Sequence, residues 1–215
     1  MVTHYIHRGL AKKSFKENTL SAFKYSFKKR YGIETDLQVT KDNQLICFHD
    51  FNLRRRFNLN KNVKDINYSI LKKISKKGKA TIPLLKDLLK ISKNKYPLLL
   101  EIKPLLSKIS LLNLIKLIKK TKEYGIISFK EKNLINLYKI NKKLPLGLLF
   151  NATAKFKTIR LKAMEKHVKF LVLEKKFLPN KNIHLIKKKI YYYTIKNKDL
   201  FKKYKNSKNL IFENL

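Results

Sequence analysis

Ile33-Glu34-Thr35-Asp36-Leu37-Gln38-Val39-Thr40-Lys41-Asp42-Asn43-Gln44-Leu45-Ile46-Cys47-Phe48-His49-Asp50 reads as two short strands around a polar turn, because apolar and β-branched residues flank Lys41-Asp42-Asn43. Glu34 and Asp36 stand two apart. On a strand that spacing puts both carboxylates on one face, where like charges repel unless a cation or strong donors sit between them. With a two-residue turn at Asp42-Asn43, the antiparallel register places His49 opposite Asp36 and on the same face. One hairpin then delivers two carboxylates and an imidazole to one spot. The competing reading of this stretch alone is a solvated edge hairpin with incidental charges.

Upstream, residues 2–6 are apolar and β-prone and predict a buried strand ending at His7-Arg8-Gly9. The glycine lets the chain turn sharply and leaves His7 and Arg8 at the strand end. A group that titrates near neutrality beside a permanent cation suits proton transfer next to a phosphate; an ordinary strand-end histidine is the alternative. Leu20, Phe23 and Phe27 then fall at helical spacing, so the first strand is followed by an amphipathic helix. Ser14-x-x-Glu17 matches a capping box, which local sequence favours, although Glu17-Asn18-Thr19 can equally face a site from the preceding loop.

Downstream, residues 51–81 are irregular, rich in Lys and Asn, and carry Arg54-Arg55-Arg56, which predicts a solvated loop or small insertion. Residues 82–91 read as a helix with Pro83 in its first turn. Residues 97–104 are a continuous apolar run, as in a buried parallel strand, ending in Glu101-x-Lys103 on one face. A carboxylate and an ammonium there are costly unless they pair or hold a ligand. Helices over 105–123, 131–142, 152–167, 181–187 and 199–204 alternate with strands over 125–129, 146–150, 168–173, 190–195 and 210–212. Counting strands from Val2, Ile33, Leu98, Gly125, Leu146, Val168, Ile190 and Leu210 gives eight and predicts a (β/α)8 TIM barrel with a hairpin and loop insertion after strand 2. Active sites of such barrels lie at the C-terminal ends of the strands, where His7, Arg8, Glu34, Asp36, Glu101 and Lys103 fall.

The 215 residues suit one domain, 1–215, and hold no Gly/Ser-rich linker, internal repeat or apolar run near the length of a membrane span. The first residues lack the pattern of a signal peptide, and the single cysteine, Cys47, excludes an internal disulfide, so a reducing compartment, the cytoplasm, is expected. Net charge is +38, from 52 Lys+Arg against 14 Asp+Glu. Such a surface attracts polyanions. The lysines are spread over every segment instead of clustering with Arg and aromatic residues, so a specific nucleic-acid partner is not expected, and weak contact with anionic membranes through lysines is.

His7-Arg8-Gly9, Glu17-Asn18-Thr19, Glu34-x-Asp36, His49-Asp50, Ile82-Pro83 before a helix, and Glu101-x-Lys103 occur in an order and spacing that resembles the glycerophosphodiester phosphodiesterase family. Ser128-Phe129, Leu146-Gly147 and Tyr193-Thr194-Ile195 extend the resemblance along the chain, more weakly. Arg54-Arg55-Arg56 stands in place of a more acidic, polar stretch, Tyr193 where tryptophan is common, and Glu213-Asn214-Leu215 where an Asp-Arg-Pro ending is typical. The resemblance implies hydrolysis of small-molecule glycerophosphodiesters to sn-glycerol 3-phosphate and an alcohol. It also implies a divalent metal cation held by Glu34, Asp36 and Glu101, with His7 and His49 as the two catalytic histidines.

The chemistry of the residue types agrees. Carboxylates suit the hard cations Mg2+ or Ca2+, Arg8 and Lys103 add positive charge for the phosphate, and two imidazoles suit a general acid and base. Glu17 and Asn18 support them. Cys47, His4, His167 and His184 read as packing or surface residues. The rival readings are a phospholipid or lysophospholipid head-group phosphodiesterase on the same barrel and a non-catalytic polyanion-binding barrel.

Overall fold

The computed structural model describes residues 2–11, 16–78, 80–213 and 215. Its core is a closed ring of eight parallel strands: β1 (Tyr5–His7), β2 (Gly32–Val39), β4 (Leu98–Ile102), β5 (Tyr124–Ser128), β6 (Leu146–Phe150), β7 (Phe170–Glu174), β8 (Lys189–Ile195) and β9 (Asn209–Phe212). β1 pairs with β2 on one side and β9 on the other, which closes the barrel. β3 (Leu45–Cys47) runs antiparallel on β2. Helices α1 (Leu20–Lys28), α4 (Leu85–Ser92), α5 (Lys108–Ile118), α6 (Glu131–Ile140), α7 (Phe156–Ala163) and α8 (Lys198–Tyr204) connect successive barrel strands, with two short 3-10 segments, Lys175–Phe177 and Lys181–Leu185, between β7 and β8.

Alternation along the strands divides the apolar residues into two layers. Ile6, Ile33, Leu98, Leu100, Ile126 and Leu148 point outward onto the helices. Tyr5, Leu99, Ile127, Phe170, Tyr191 and Ile211 fill the interior. Gly147 belongs to this inner layer because the Phe170 ring occupies its side-chain space: a Cβ there would lie 2.3 Å from the Phe170 ring. One step further along the inward faces, His7 follows Tyr5, Glu101 follows Leu99, Tyr193 follows Tyr191 and Glu213 follows Ile211. An apolar plug therefore supports a polar layer at the C-terminal mouth.

The structure corrects three local expectations. The hairpin pairs Leu37 with Cys47 and Gln38 with Ile46, so Asp36 faces Phe48, not His49. The cause is a three-residue loop, Lys41 to Asn43, with Asn43 in the left-handed conformation (φ 55°). The cap of α1 is Thr19, whose hydroxyl accepts from Ala22 N, while Glu17 points elsewhere; Ser14 lies outside the described residues. Pro83 precedes α4 instead of starting it, and the Asp87 carboxylate accepts from Leu84 N to close that end. Of the two readings of 51–81, a solvated loop or a small insertion, the second holds: its described residues carry α2 (Arg54–Phe57), α3 (Tyr68–Lys77) and, with Ile46 and Phe48, a small core of Leu53, Val63 and Leu71.

Candidate active site

Three carboxylates from two adjacent strands converge where Asp36 of β2 pairs with Glu101 of β4. Glu34, Asp36 and Glu101 are all buried, and each offers an oxygen within 4.8 Å of the others. Two cations share the charge: Lys103 Nζ stands 2.9 Å from Glu101 and 3.5 Å from Asp36, and Arg8 Nε 2.9 Å from Asp36. Arg8 reaches across because it and Gly9 both adopt left-handed backbone (φ 57° and 72°), which folds the chain back over the barrel end. Asn18, also left-handed, donates its amide to Asp36 Oδ2 at 3.0 Å and accepts from Thr35 Oγ1 at 2.7 Å.

These neighbours pull the three carboxyls apart. Burial, then the charges of Asp36 and Glu101, hold Glu34 well above the usual carboxylate range. Burial and Asp36 push Glu101 up to about 7. Burial opposes ionisation of Asp36 too, but Arg8 and Lys103 outweigh it and hold Asp36 low. Glu34 Oε1 and Asp36 Oδ1 are buried without a hydrogen bond. Orphaned oxygens inside a cluster of three carboxyls are the arrangement a hard divalent cation satisfies, so these residues fit one.

Two imidazoles line the same cavity, of about 460 Å3. His7 Nδ1 lies 3.1 Å from Glu213 Oε2, and its Nε2 faces Glu34 Oε2 at 3.9 Å. His49 Nδ1 lies 2.7 Å from Asp50 Oδ1, and burial holds the His49 imidazole below its ordinary value. His49 reaches the cavity from the loop after β3, where Gln38 Nε2 donates to its carbonyl at 3.2 Å, and not through the strand ladder. A chain of ion pairs encloses this side: Asp50 to Arg55 at 2.6 Å, Arg55 to Glu17 at 2.7 Å, and Glu17 to Arg8 at 3.2 Å.

All nine residues singled out in the sequence therefore meet here: His7, Arg8, Glu17, Asn18, Glu34, Asp36, His49, Glu101 and Lys103. Sequence reasoning missed Glu213 and Arg55. Glu213 lies 206 positions from its partner, and the available cue was its place two residues past Ile211 on an inward strand face. Arg55 was submerged in a run of three arginines. A larger cavity of about 900 Å3 opens beside α1, α3 and α4, but its carboxylates, Asp42 and Asp87, are engaged with backbone N–H groups of Tyr68 and Leu84. Cys47 is fully buried with its thiol pushed up to about 12 by burial, and His4, His167 and His184 bond elsewhere.

Fold and site together define a (β/α)8 barrel with an acidic, cation-accepting centre between two histidines at its C-terminal mouth. The sequence profile of the Glycerophosphoryl diester phosphodiesterase family matches residues 7–209, and the chain belongs to that family. It is 37% identical over 99 residues to a glycerophosphodiester phosphodiesterase of Bacillus altitudinis, covering 42% of this chain and 40% of that protein. Over 161 residues it is 35% identical to a glycerophosphodiester phosphodiesterase of Caldanaerobacter subterraneus, covering 67% of this chain and 65% of that protein. A phosphodiesterase from Oleispira antarctica, solved in complex with the product sn-glycerol-3-phosphate, has the same fold, with a TM-score of 0.83, 20% identity, and coverage of 99% of this chain and 92% of that one.

Proposed function

We propose that this protein hydrolyses glycerophosphodiesters to sn-glycerol 3-phosphate and an alcohol. The observation that carries the reading is the buried trio Glu34, Asp36 and Glu101, with orphaned oxygens, in one cavity with two carboxylate-held imidazoles. Glu34, Asp36 and Glu101 would hold Mg2+ or Ca2+, and such an ion would supply fixed positive charge against the substrate's anionic oxygens. Arg8 and Lys103, already drawn to this corner by Asp36, present their remaining N–H donors to the phosphate. Glu213 and Asp50 each hold an Nδ1, leaving Nε2 of His7 and of His49 to take or give a proton. A phosphodiester needs both services, because its own negative charge repels a nucleophile and its alkoxide leaving group needs a proton.

The test is release of glycerol 3-phosphate from a panel of glycerophosphodiesters and a lysophospholipid, with Mg2+, with Ca2+ and after chelation, for wild type beside Glu34→Gln. Release that needs metal and disappears in Glu34→Gln is the expected result. Turnover that survives both chelation and the substitution removes the carboxylate trio from the reaction.

A further inference from the structure

The mouth of the barrel carries apolar side chains that the proposed chemistry does not use. Phe51 is 53% exposed, Leu105 50% and Ile109 68%. Phe51 and Leu105 line a groove of about 370 Å3 with Val39 and Pro104, and the charged residues in its wall are Lys64 and Lys130, with no carboxylate among the described residues. The groove adjoins the carboxylate cavity, for Lys103 and Phe129 line that cavity while their neighbours Pro104 and Lys130 line the groove. Ile109 lies in the first turn of α5, which starts at the same end because α5 leaves the C-terminus of β4. Single exposed apolar residues are ordinary on any surface. Here two of them, Phe51 and Leu105, line one opening between cations, with Ile109 at the same end of the barrel.

The charge argues for the occupant. Apolar side chains flanked by lysines match an anionic bilayer, where acidic headgroups meet the ammonium groups while apolar groups enter the interfacial layer. The absence of a carboxylate from the groove wall removes the repulsion that acidic lipids would meet, and the net charge of +38 attracts the same surface from a distance. We propose that the mouth face bearing Phe51 and Leu105 between Lys64 and Lys130, with Ile109 at the same end, seats this protein on an anionic lipid bilayer, with the carboxylate cavity turned toward the lipid.

Co-sedimentation of the full chain with phosphatidylcholine vesicles and with mixed phosphatidylcholine–phosphatidylglycerol vesicles tests the surface without requiring turnover, so its outcome is independent of the proposed reaction. Three variants are compared after their thermal midpoints are shown to match wild type: Phe51→Ser/Leu105→Ser, Lys64→Glu/Lys130→Glu, and Lys28→Glu/Lys119→Glu at the C-terminal ends of α1 and α5. Wild type is expected to partition onto the mixed vesicles. The apolar pair variant loses at least about tenfold in partition coefficient, and the mouth charge pair loses more than the far-end charge pair. The proposal is overturned if wild type stays in the supernatant, if the apolar pair variant partitions like wild type, or if the two charge pairs fall equally.

Discussion

Arg55 lies outside the cavity yet pairs with two carboxylates at once, Asp50 beside His49 through Nε at 2.6 Å and Glu17 of the cavity wall through a terminal nitrogen at 2.7 Å. Asp50 positions His49 and Glu17 positions Arg8, so Arg55 ties a proposed proton-transfer group to a proposed phosphate ligand. A lysine keeps the charge and loses the planar fork. Arg55→Lys is expected to lower kcat about tenfold or more with KM near wild type; steady-state kinetics with unchanged kcat would remove Arg55 from this role. Glu213 gives a pH-dependent contribution to stability. The His7 hydrogen bond, followed by the His7 and Lys196 charges acting against partial burial, lowers its carboxyl from 4.5 to about 2. A carboxyl depressed in the folded state stabilises the fold above its unfolded value, and that contribution is lost as pH falls through the folded value. Urea unfolding of Glu213→Gln should therefore lie below wild type at pH 6 and converge with it near pH 2, as wild type sheds the same contribution. Residues of this kind stay hidden in a sequence because their meaning resides in a partner 206 positions away, whereas Glu34-x-Asp36 declares itself within three residues.

At the scale of elements, the barrel strands were the most legible part. A buried parallel strand is apolar on both faces, so Leu98–Ile102 and Leu146–Phe150 stand out as continuous runs. Helix ends were less legible, since lysines continue past each end of α5 and α7 and blur the apolar period. The hairpin register escaped because Asn43 takes a left-handed turn that costs a side chain little only at such residues, and a shift of one residue reverses every face. The sequence left a solvated loop and a small insertion both open for 51–81 because its apolar residues, Leu53, Val63, Ile66 and Leu71, follow no single period; all four are buried. That small core holds the loop after β3, and with it His49. Leu71→Ala is expected to cost about 2–5 kcal/mol locally, so amide exchange should speed up over 54–77 while β4 to β7 keep their protection. Uniform acceleration across the chain would show that the insertion and barrel unfold as one unit.

Over the whole molecule, cations outnumber anions 52 to 14, and most of the few carboxylates that form ion pairs are gathered at the mouth. The remaining lysines repel one another more in the folded chain than in the expanded one. Salt screens this repulsion within roughly 10 Å at about 0.1 M. The thermal midpoint should therefore rise as KCl is added to a low-salt buffer, and scanning calorimetry showing a fall instead would mean that the mouth ion pairs outweigh the general repulsion. No helix among the described residues is long and apolar enough to cross a membrane.

The pairing of β1 with β9 brings His7 and Glu213 together. Synthesis makes His7 206 residues before Glu213, so Glu34, Asp36 and Glu101 all leave the ribosome while His7 still lacks its carboxylate. Translation that stops before β9 leaves the ring open beside β1 and the first histidine without its partner. Assembly of the His7 side of the cavity thus reports that translation has passed the strand that closes the ring.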